Sequence, residues 1–184
     1  SNLILFLYGT GLRISEVLNL TFGDIHEYEG LPSVLEVKSR PKGMQRVYLS
    51  VVATAALLDW SDTATAWGII DNSVSSQHIW VNIQGQKVGQ PMTQQALRYM
   101  VETAAQKANI GRPVSPQTLR ATYRQQLLNA DVPLGITSHL LGTAIRNVQD
   151  QPYFLRSQAR FEDYVKRLPD PFAAQSSELL DEKR

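Results

Sequence analysis

The first residues of the chain follow a helical pattern of apolar positions. Leu3–Tyr8 is apolar almost throughout and runs into Gly9-Thr10-Gly11, which predicts a buried helix that ends in a turn. From Arg13 onward apolar residues recur at helical spacing and predict a second helix, which Gly23 would end. The residues that carry this second period are Ile14, Val17, Leu18 and Leu20.

Three short segments rich in β-branched and aromatic residues come next. Residues 29–32 and 40–43 separate them and contain the glycines and prolines typical of turns. Segments joined this closely pair as neighbouring antiparallel strands, so the pattern predicts a three-stranded meander. The predicted strands are Ile25–Tyr28, Val34–Lys38 and Arg46–Leu49.

The rest of the chain returns to the helical period. Residues 61–76 predict a polar surface excursion, 78–82 a short extended segment and 85–91 a loop. Thr93 is a suitable N-cap and Gly142 a suitable helix stop. The whole pattern predicts an α+β fold, mostly α-helical, with a small three-stranded antiparallel sheet near the N-terminus. The predicted helices are Val51–Trp60, Gln94–Ala108, Thr118–Asn129, Pro133–Leu141 and Phe161–Leu168.

Length and composition are those of an ordinary globular domain. The 184 residues are 43% hydrophobic and 19% charged, which is enough for one domain with its own core. No apolar run approaches the roughly 18–20 residues of a membrane span, so no membrane partner is expected. The absence of cysteine excludes disulfides and fits a cytoplasmic protein. No metal site is expected, because the histidines (His26, His78 and His139) lack metal-ligand spacing.

Net charge gives only weak support for a nucleic-acid partner. The formal charge of +1 is far below the surplus typical of DNA-binding domains. Basic residues are nevertheless grouped in two places, and a local basic face is what a phosphate backbone contacts. The first group is Lys38, Arg40, Lys42 and Arg46, and the second is Arg146, Arg156, Arg160, Lys166 and Arg167.

The first of two arginine-centred segments is Tyr8–Leu20. Its turn at Thr10-Gly11 places Arg13 at the start of the predicted second helix. Backbone amides at a helix N-terminus and a guanidinium can bind a phosphate together. Glu16, three residues on, could brace Arg13 from the same helix face. An ordinary surface ion pair between Arg13 and Glu16 is the alternative interpretation.

The second arginine-centred segment is Ser115–Thr143. Its pattern predicts a helix, a turn through Asn129–Pro133 and a second helix that ends at Gly142. Gln117 and Arg120 lie three residues apart near the start of the first helix, so they share a face.

Together these segments resemble the two arginine boxes of the tyrosine recombinases, the phage-integrase family. TGLRISEVLNL is similar to the first box almost letter for letter, and SP-x-x-LR-x-T with the later LL-x-A-x-V-x-L and LLG to the second. A tyrosine follows at about the expected interval. The resemblance covers Leu3–Leu168 and implies a catalytic domain over residues 1–168. Residues 169–184 are polar and acidic, which predicts a flexible tail.

The resemblance implies roles for particular residues. Arg13 and Arg120 would grip the scissile phosphate and neutralise the pentacoordinate transition state, without metal, other cofactor or ATP. Tyr153 would be the nucleophile and form a 3′-phosphotyrosyl bond, leaving a free 5′-hydroxyl. Tyr164 is the alternative nucleophile, although its predicted helix favours packing. Tyr123 is expected in the core.

The family also has a lysine in the strand hairpin, as general acid for the leaving 5′-oxygen. Lys38 fits better by its distance from Arg13, and Lys42 fits better by its place before Arg46–Leu49. Lys38 is slightly preferred, and both remain candidates.

Two positions depart from the family pattern. Gln117 stands where histidine is usual, and Thr143 where histidine or tryptophan is usual. Tyr153 follows Thr143 by ten residues, one more than expected. Glutamine can donate a hydrogen bond but cannot shuttle a proton, and losing a general acid or base costs about 10²–10⁴ in rate. His139 could compensate, although an exposed helix residue is the alternative interpretation.

The resemblance finally implies partners. These are double-stranded DNA and other recombinase subunits, with a tetramer on DNA and the segment Phe154–Leu168 passed to a neighbouring subunit. The family's smaller DNA-clamping domain is expected to be missing from this chain, because the apolar start at Ser1-Asn2 suggests a shortened protein. A catalytically impaired DNA-binding or regulatory protein is the main alternative function. A helical protein without a nucleic-acid role is a third hypothesis.

Overall fold

The computed structural model describes residues 1–39, 43–143, 158–171 and 173. The described residues confirm the predicted α+β fold, in which helices surround a small sheet close to the N-terminus. Two 3₁₀ turns lie at Phe22–Asp24 and Gly85–Lys87. The helices are α1 (Asn2–Thr10), α2 (Ile14–Leu18), α3 (Val51–Ala66), α4 (Gln94–Lys107), α5 (Pro116–Asn129), α6 (Leu134–Leu140) and α7 (Gln158–Lys166).

The sheet is the predicted antiparallel meander of β1 (Ile25–Tyr28), β2 (Leu31–Ser39) and β3 (Gly43–Tyr48), in that order. The turn between β1 and β2 is shorter than predicted. Only Glu29 and Gly30 form it, both with positive φ, because Leu31 and Pro32 already pair with β1. Side chains alternate along β2, so Leu35 and Val37 are buried while Lys38 is exposed.

Two helix ends differ from the predictions. Gly23 does not end α2, which stops at Leu18, five residues earlier. Gly23 instead lets the chain approach Ser75, because its amide donates to the Ser75 carbonyl over 2.8 Å and a Cβ would lie only 3.0 Å from that carbonyl oxygen. The predicted surface excursion from Ser61 is wrong at its start. Helix α3 continues to Ala66, since its small residues Ser61 and Ala64 are buried and keep one face packed.

Two helices begin earlier than predicted. Helix α5 starts at Pro116, where Ser115 is the N-cap and its hydroxyl accepts from the Thr118 amide over 3.3 Å. This places Gln117 in the first turn of α5. Helix α7 starts at Gln158 rather than Phe161. The predicted N-cap Thr93 is confirmed, since its hydroxyl accepts from the Ala96 amide over 3.1 Å.

Buried side chains form two main clusters. The first lies among α1, α2, the sheet, α3 and α4, and includes Phe6, whose ring centroid is 5.1 Å from that of Trp80. The second lies among α5, α6, α7 and β3, and includes Phe161. The clusters meet at Gly11, where Tyr123 packs so closely that a Cβ would overlap its ring. None of the described helices is both long and apolar enough to cross a membrane.

Candidate active site

The turn between α1 and α2 is built around Gly11. Its φ of 61° is left-handed, and its amide caps α1 by donating to the Leu7 carbonyl over 2.9 Å. The Thr10 hydroxyl donates to the Phe6 carbonyl over 2.7 Å and closes the same helix end. The Gly11 carbonyl then accepts a hydrogen bond of 2.5 Å from Nη1 of Arg120. The turn therefore joins the first arginine box directly to the second.

Arg13 is the N-cap of α2, as the sequence predicts. Its amide donates to Oε2 of Glu16 over 2.8 Å, and its Nη1 lies 3.0 Å from Oε1 of the same carboxylate. Glu16 is buried, whereas 39% of the Arg13 side chain is exposed. The predicted brace between the two residues is confirmed, and the exposed part of Arg13 can still meet an external ligand.

Arg120 is fixed from several sides. Its Nη2 donates a short hydrogen bond to the Leu141 carbonyl, in addition to the bond from Nη1 to Gly11. Its Nη1 also lies 4.0 Å from Oε2 of Glu16. Burial lowers the pKa of Arg120 below its ordinary value, the charge of Arg13 acts in the same direction, and Glu16 opposes both. An arginine stays protonated under such conditions at neutral pH.

Two guanidinium groups thus share one buried carboxylate. The three side chains carry a net charge of +1 in a partly desolvated place, where a positive surplus attracts an anion more strongly than it would in water. Because guanidinium donors match the geometry of phosphate oxygens, a phosphate diester is a suitable ligand.

A groove of about 720 Å³ lies between α2 and β2 beside this arrangement. Arg13 lines it from α2, and Lys38 lines it from β2. The structure therefore brings one of the two candidate lysines to the same groove as the first arginine. Lys42, the other candidate, lies outside the described residues.

The two positions that depart from the family pattern flank Arg120 differently. Gln117 is exposed, one turn before Arg120 on α5. Thr143 lies two residues beyond Leu141, and both its hydroxyl and its amide donate to the Ser138 carbonyl over 2.9 Å. Thr143 therefore helps to end α6.

The candidate nucleophile Tyr153 lies outside the described residues. Tyr164, the alternative, packs partly against the second core cluster, with the Arg167 guanidinium 5.5 Å from its ring centroid. Tyr123 is buried as predicted, and burial raises its pKa. The expectation of an exposed His139 is wrong, because its ring is half-buried and stacks on Phe161 with centroids 4.8 Å apart.

Sequence reasoning missed Gln45. Its Nε2 donates to the carbonyls of His139 and Leu140, over 3.1 and 3.4 Å, from strand β3. No local pattern marks this residue, since its partners lie more than ninety positions away. The described residues contain no group of histidine, aspartate and glutamate arranged to hold a metal ion.

Comparison with known proteins assigns this chain to a protein family. The sequence profile of the Phage integrase family matches residues 1–151. Tyrosine recombinase XerD of Halalkalibacterium halodurans is 30% identical over 138 residues, which are 75% of this chain and 43% of that protein. This chain belongs to the phage integrase family, whose members are DNA strand-transferring tyrosine recombinases.

Solved structures agree on the fold. The XerA recombinase aligns over 100% of this chain and 57% of its own, with a TM-score of 0.65 and 19% identity. The Tn1549 transposon integrase in complex with circular intermediate DNA aligns over 96% of this chain and 56% of its own, with a TM-score of 0.53 and 20% identity. The chain spans about half the length of the relatives it matches.

Proposed function

We propose that residues 1–168 are the catalytic domain of a site-specific recombinase that cuts and rejoins double-stranded DNA through a 3′-phosphotyrosyl bond. The observation that carries the proposal is the shared contact of Arg13 and Arg120 with Glu16. It assembles the two arginines of the family pattern, more than a hundred residues apart, into one cationic site. In the cytoplasm, genomic DNA would supply the phosphate.

The two arginines would bind the scissile phosphate in different ways. Arg120, held by two backbone carbonyls, would present a fixed guanidinium, while the more exposed Arg13 would adjust to the ligand. Both would stabilise the extra negative charge of the pentacoordinate transition state, and this effect needs neither metal nor ATP. Fixed donors suit this task, because they do not reorganise during the reaction.

Tyr153 would attack phosphorus through its phenolic oxygen, which passes its proton to water as the new bond forms. The bond from phosphorus to the 5′-oxygen breaks as the phosphotyrosyl bond forms, and the leaving oxygen takes a proton from Lys38 or Lys42. Lys38 is the better supported candidate, because it shares the groove with Arg13. Attack of a 5′-hydroxyl on the phosphotyrosine would rejoin the strand and return the tyrosine.

Gln117 and Thr143 favour a second candidate function, a catalytically impaired DNA-binding or regulatory protein. Neither side chain transfers protons near neutral pH. Gln117 could still donate to a phosphate oxygen from its exposed place near Arg120, whereas the Thr143 hydroxyl already donates to Ser138. The proposal therefore includes slow cleavage rather than the full rate of a site with histidines.

Assembly is part of the proposal. A tetramer on DNA would let subunits exchange the segment Phe154–Leu168, of which α7 is the described part. Within the chain, Phe161 and Val165 of α7 are buried against the second core cluster. The same apolar face could pack on the equivalent surface of a neighbouring subunit.

A covalent trap tests cleavage on many target sequences at once. The protein is incubated with a randomised duplex library nicked so that a short fragment is lost after cleavage, which prevents rejoining. Adducts that survive denaturant are isolated and sequenced. We expect slow adduct formation that EDTA does not reduce, because no metal takes part.

The adduct also identifies the nucleophile. Trypsin cleaves after Arg146 and Arg156, so Tyr153 and Tyr164 fall in different peptides, and mass spectrometry can locate the nucleotide. Tyr153→Phe should abolish the adduct and Tyr164→Phe should keep it. If the wild-type protein binds duplex DNA but forms no adduct, the impaired DNA-binding alternative is correct. If it neither binds nor cleaves, both candidate functions are wrong.

A further inference from the structure

The C-terminal end of α6 is held by side chains from two other elements. Gln45 of β3 donates to the carbonyls of His139 and Leu140, and Arg120 of α5 donates to the next carbonyl, that of Leu141. The last carbonyls of a helix have no partner within it, so they need donors from elsewhere. Two side chains thus donate to three consecutive carbonyls, of which that of His139 also accepts from the Gly142 amide over 2.8 Å.

The Gln45 amide packs directly against Gly142. Gly142 has a φ of 60°, and a Cβ at this position would overlap Oε1 of Gln45. The amide therefore occupies the space that a side chain at position 142 would need. Gln45 is only half-buried, so the contact does not serve to fill the core.

Gln45 also connects the two halves of the candidate site. On β3 it follows Met44, whose partner across the sheet is Lys38. Through the end of α6 it reaches the carbonyl that fixes Arg120, and then Thr143, after which the chain continues toward Tyr153. Movement at this contact would displace the lysine and the arginine relative to each other.

We propose that Gln45 is a positioning residue for DNA cleavage. It holds the end of α6 against β3, and thereby fixes Arg120 through the Leu141 carbonyl. The inference rests on the proposed function and assigns to that reaction a residue outside both arginine boxes.

Two variants separate hydrogen bonding from packing. Gln45→Met keeps the length of the side chain but removes the donor. Gln45→Glu keeps its shape but places a carboxylate, which cannot donate, against two carbonyls. If the donor matters, the rate of single-turnover cleavage should fall about tenfold in Gln45→Met and further in Gln45→Glu. If only packing matters, Gln45→Glu should be the milder change.

The readout is the cleavage rate at saturating protein, beside the affinity for uncleaved duplex. A positioning residue should lower the rate and change the affinity less than threefold. Gln106→Met and Gln106→Glu, at an exposed position on α4, are the matched controls and should cleave like the wild type. Wild-type rates in both Gln45 variants would overturn the inference.

Hydrogen exchange of the DNA-free protein tests the contact independently of activity. The amides of Gly142 and Thr143 donate to the His139 and Ser138 carbonyls at the end of α6. Their exchange should accelerate about tenfold in Gln45→Met, while exchange in α4 stays unchanged. Unchanged exchange at both amides would overturn the inference even if the proposed function holds. A wild-type protein that forms no adduct would overturn cleavage and the role of Gln45 in it, whatever the exchange shows.

Discussion

Gly11 is subject to two independent constraints at the residue scale. Its φ of 61° is a conformation that costs an L-residue roughly 1–2 kcal/mol. The ring of Tyr123 also occupies the position where a Cβ would lie. Since the Gly11 carbonyl accepts from Arg120, both constraints also act on the candidate site.

Gly11→Ala should therefore destabilise the protein by about 2–4 kcal/mol, as backbone strain and overpacking combine. The matched control is Gly68→Ala, because Gly68 has a φ of 67° but open space around its Cα. This control should lose only the backbone term of about 1–2 kcal/mol. Urea unfolding measures both, and equal losses would contradict the role of Tyr123.

The negative charge of Glu16 can be tested separately from the shape of its side chain. Glu16→Gln keeps the side-chain shape but leaves Arg13 and Arg120 as unbalanced neighbouring cations. We expect a loss of about 2 kcal/mol in the free energy of unfolding, because a buried ion pair loses one partner. Glu102→Gln, at an exposed position on α4, should change the stability by less than about 0.5 kcal/mol.

The same variant should respond more strongly to an added anion. Phosphate bound between the two guanidinium groups would replace the missing negative charge and stabilise the folded state by mass action. Unfolding is therefore measured in chloride and in phosphate at equal ionic strength. An equal effect of phosphate on Glu16→Gln and on the wild type would argue against an anion site between the arginines.

At the scale of elements, α7 packs on the rest of the chain through the aromatic side chain of Phe161. Phe161 is 2% exposed and stacks on His139 of α6, and it also lies near Tyr48 of β3. Phe161→Ala should cost about 3–5 kcal/mol of local stability, because it removes this contact and leaves a cavity. Hydrogen exchange across α7 should then approach that of an unfolded peptide.

The exposed Asp163 on the same helix provides the control. Asp163→Ala should leave exchange in α7 within twofold of the wild type, since it removes no buried contact. Equal protection in Phe161→Ala and the wild type would mean that α7 is held by other contacts.

Local patterns predicted most elements but not their tertiary contacts. The Thr93 cap and the meander follow from neighbouring residues, so periodicity and turn residues were sufficient. The role of Gly23 depends on Ser75, fifty residues away, and that distance is why it was mistaken for a helix stop. The end of α3 was missed for a related reason, since its polar residues suggest a loop until their burial is known.

In the candidate site too, the sequence predicts some features and not others. Arg13 and Arg120 each lie in a recognisable motif, so the sequence was enough to nominate both. The contact between Glu16 and Arg120 joins residues that only the fold brings together, as does the bond from Arg120 to Leu141. The motifs were therefore enough to nominate the candidate residues, while the groups that orient those residues could not be predicted from the sequence.

At the scale of the whole molecule, the candidate site lies where the two core clusters meet. Gly11 and Glu16 belong to the elements of the first cluster, and Arg120 and Leu141 to those of the second. Any opening between the clusters would separate the Arg120 guanidinium from the Gly11 carbonyl. Stability of this junction and function of the site are thus coupled.

The local distribution of charge explains how a chain with a formal charge of +1 could still bind DNA. Affinity for a phosphate backbone depends on the cations that displace counterions locally, not on the total charge. Arg13 and Lys38 line one groove. Of the described cations, these are the two that we expect to contact phosphates and displace counterions there. Binding to a random-sequence duplex should weaken steeply with salt.

Each removed phosphate contact should lower the slope of log Kd against log salt concentration by about 0.9. We expect this change for Arg13→Ala and for Lys38→Ala. Lys107→Ala should leave the slope unchanged, because Lys107 ends α4 and is not part of the groove. Fluorescence anisotropy over a salt series measures all three variants. Slopes that match the wild type in Arg13→Ala and Lys38→Ala would exclude the groove as the DNA contact, since a cation that meets no phosphate releases no counterion.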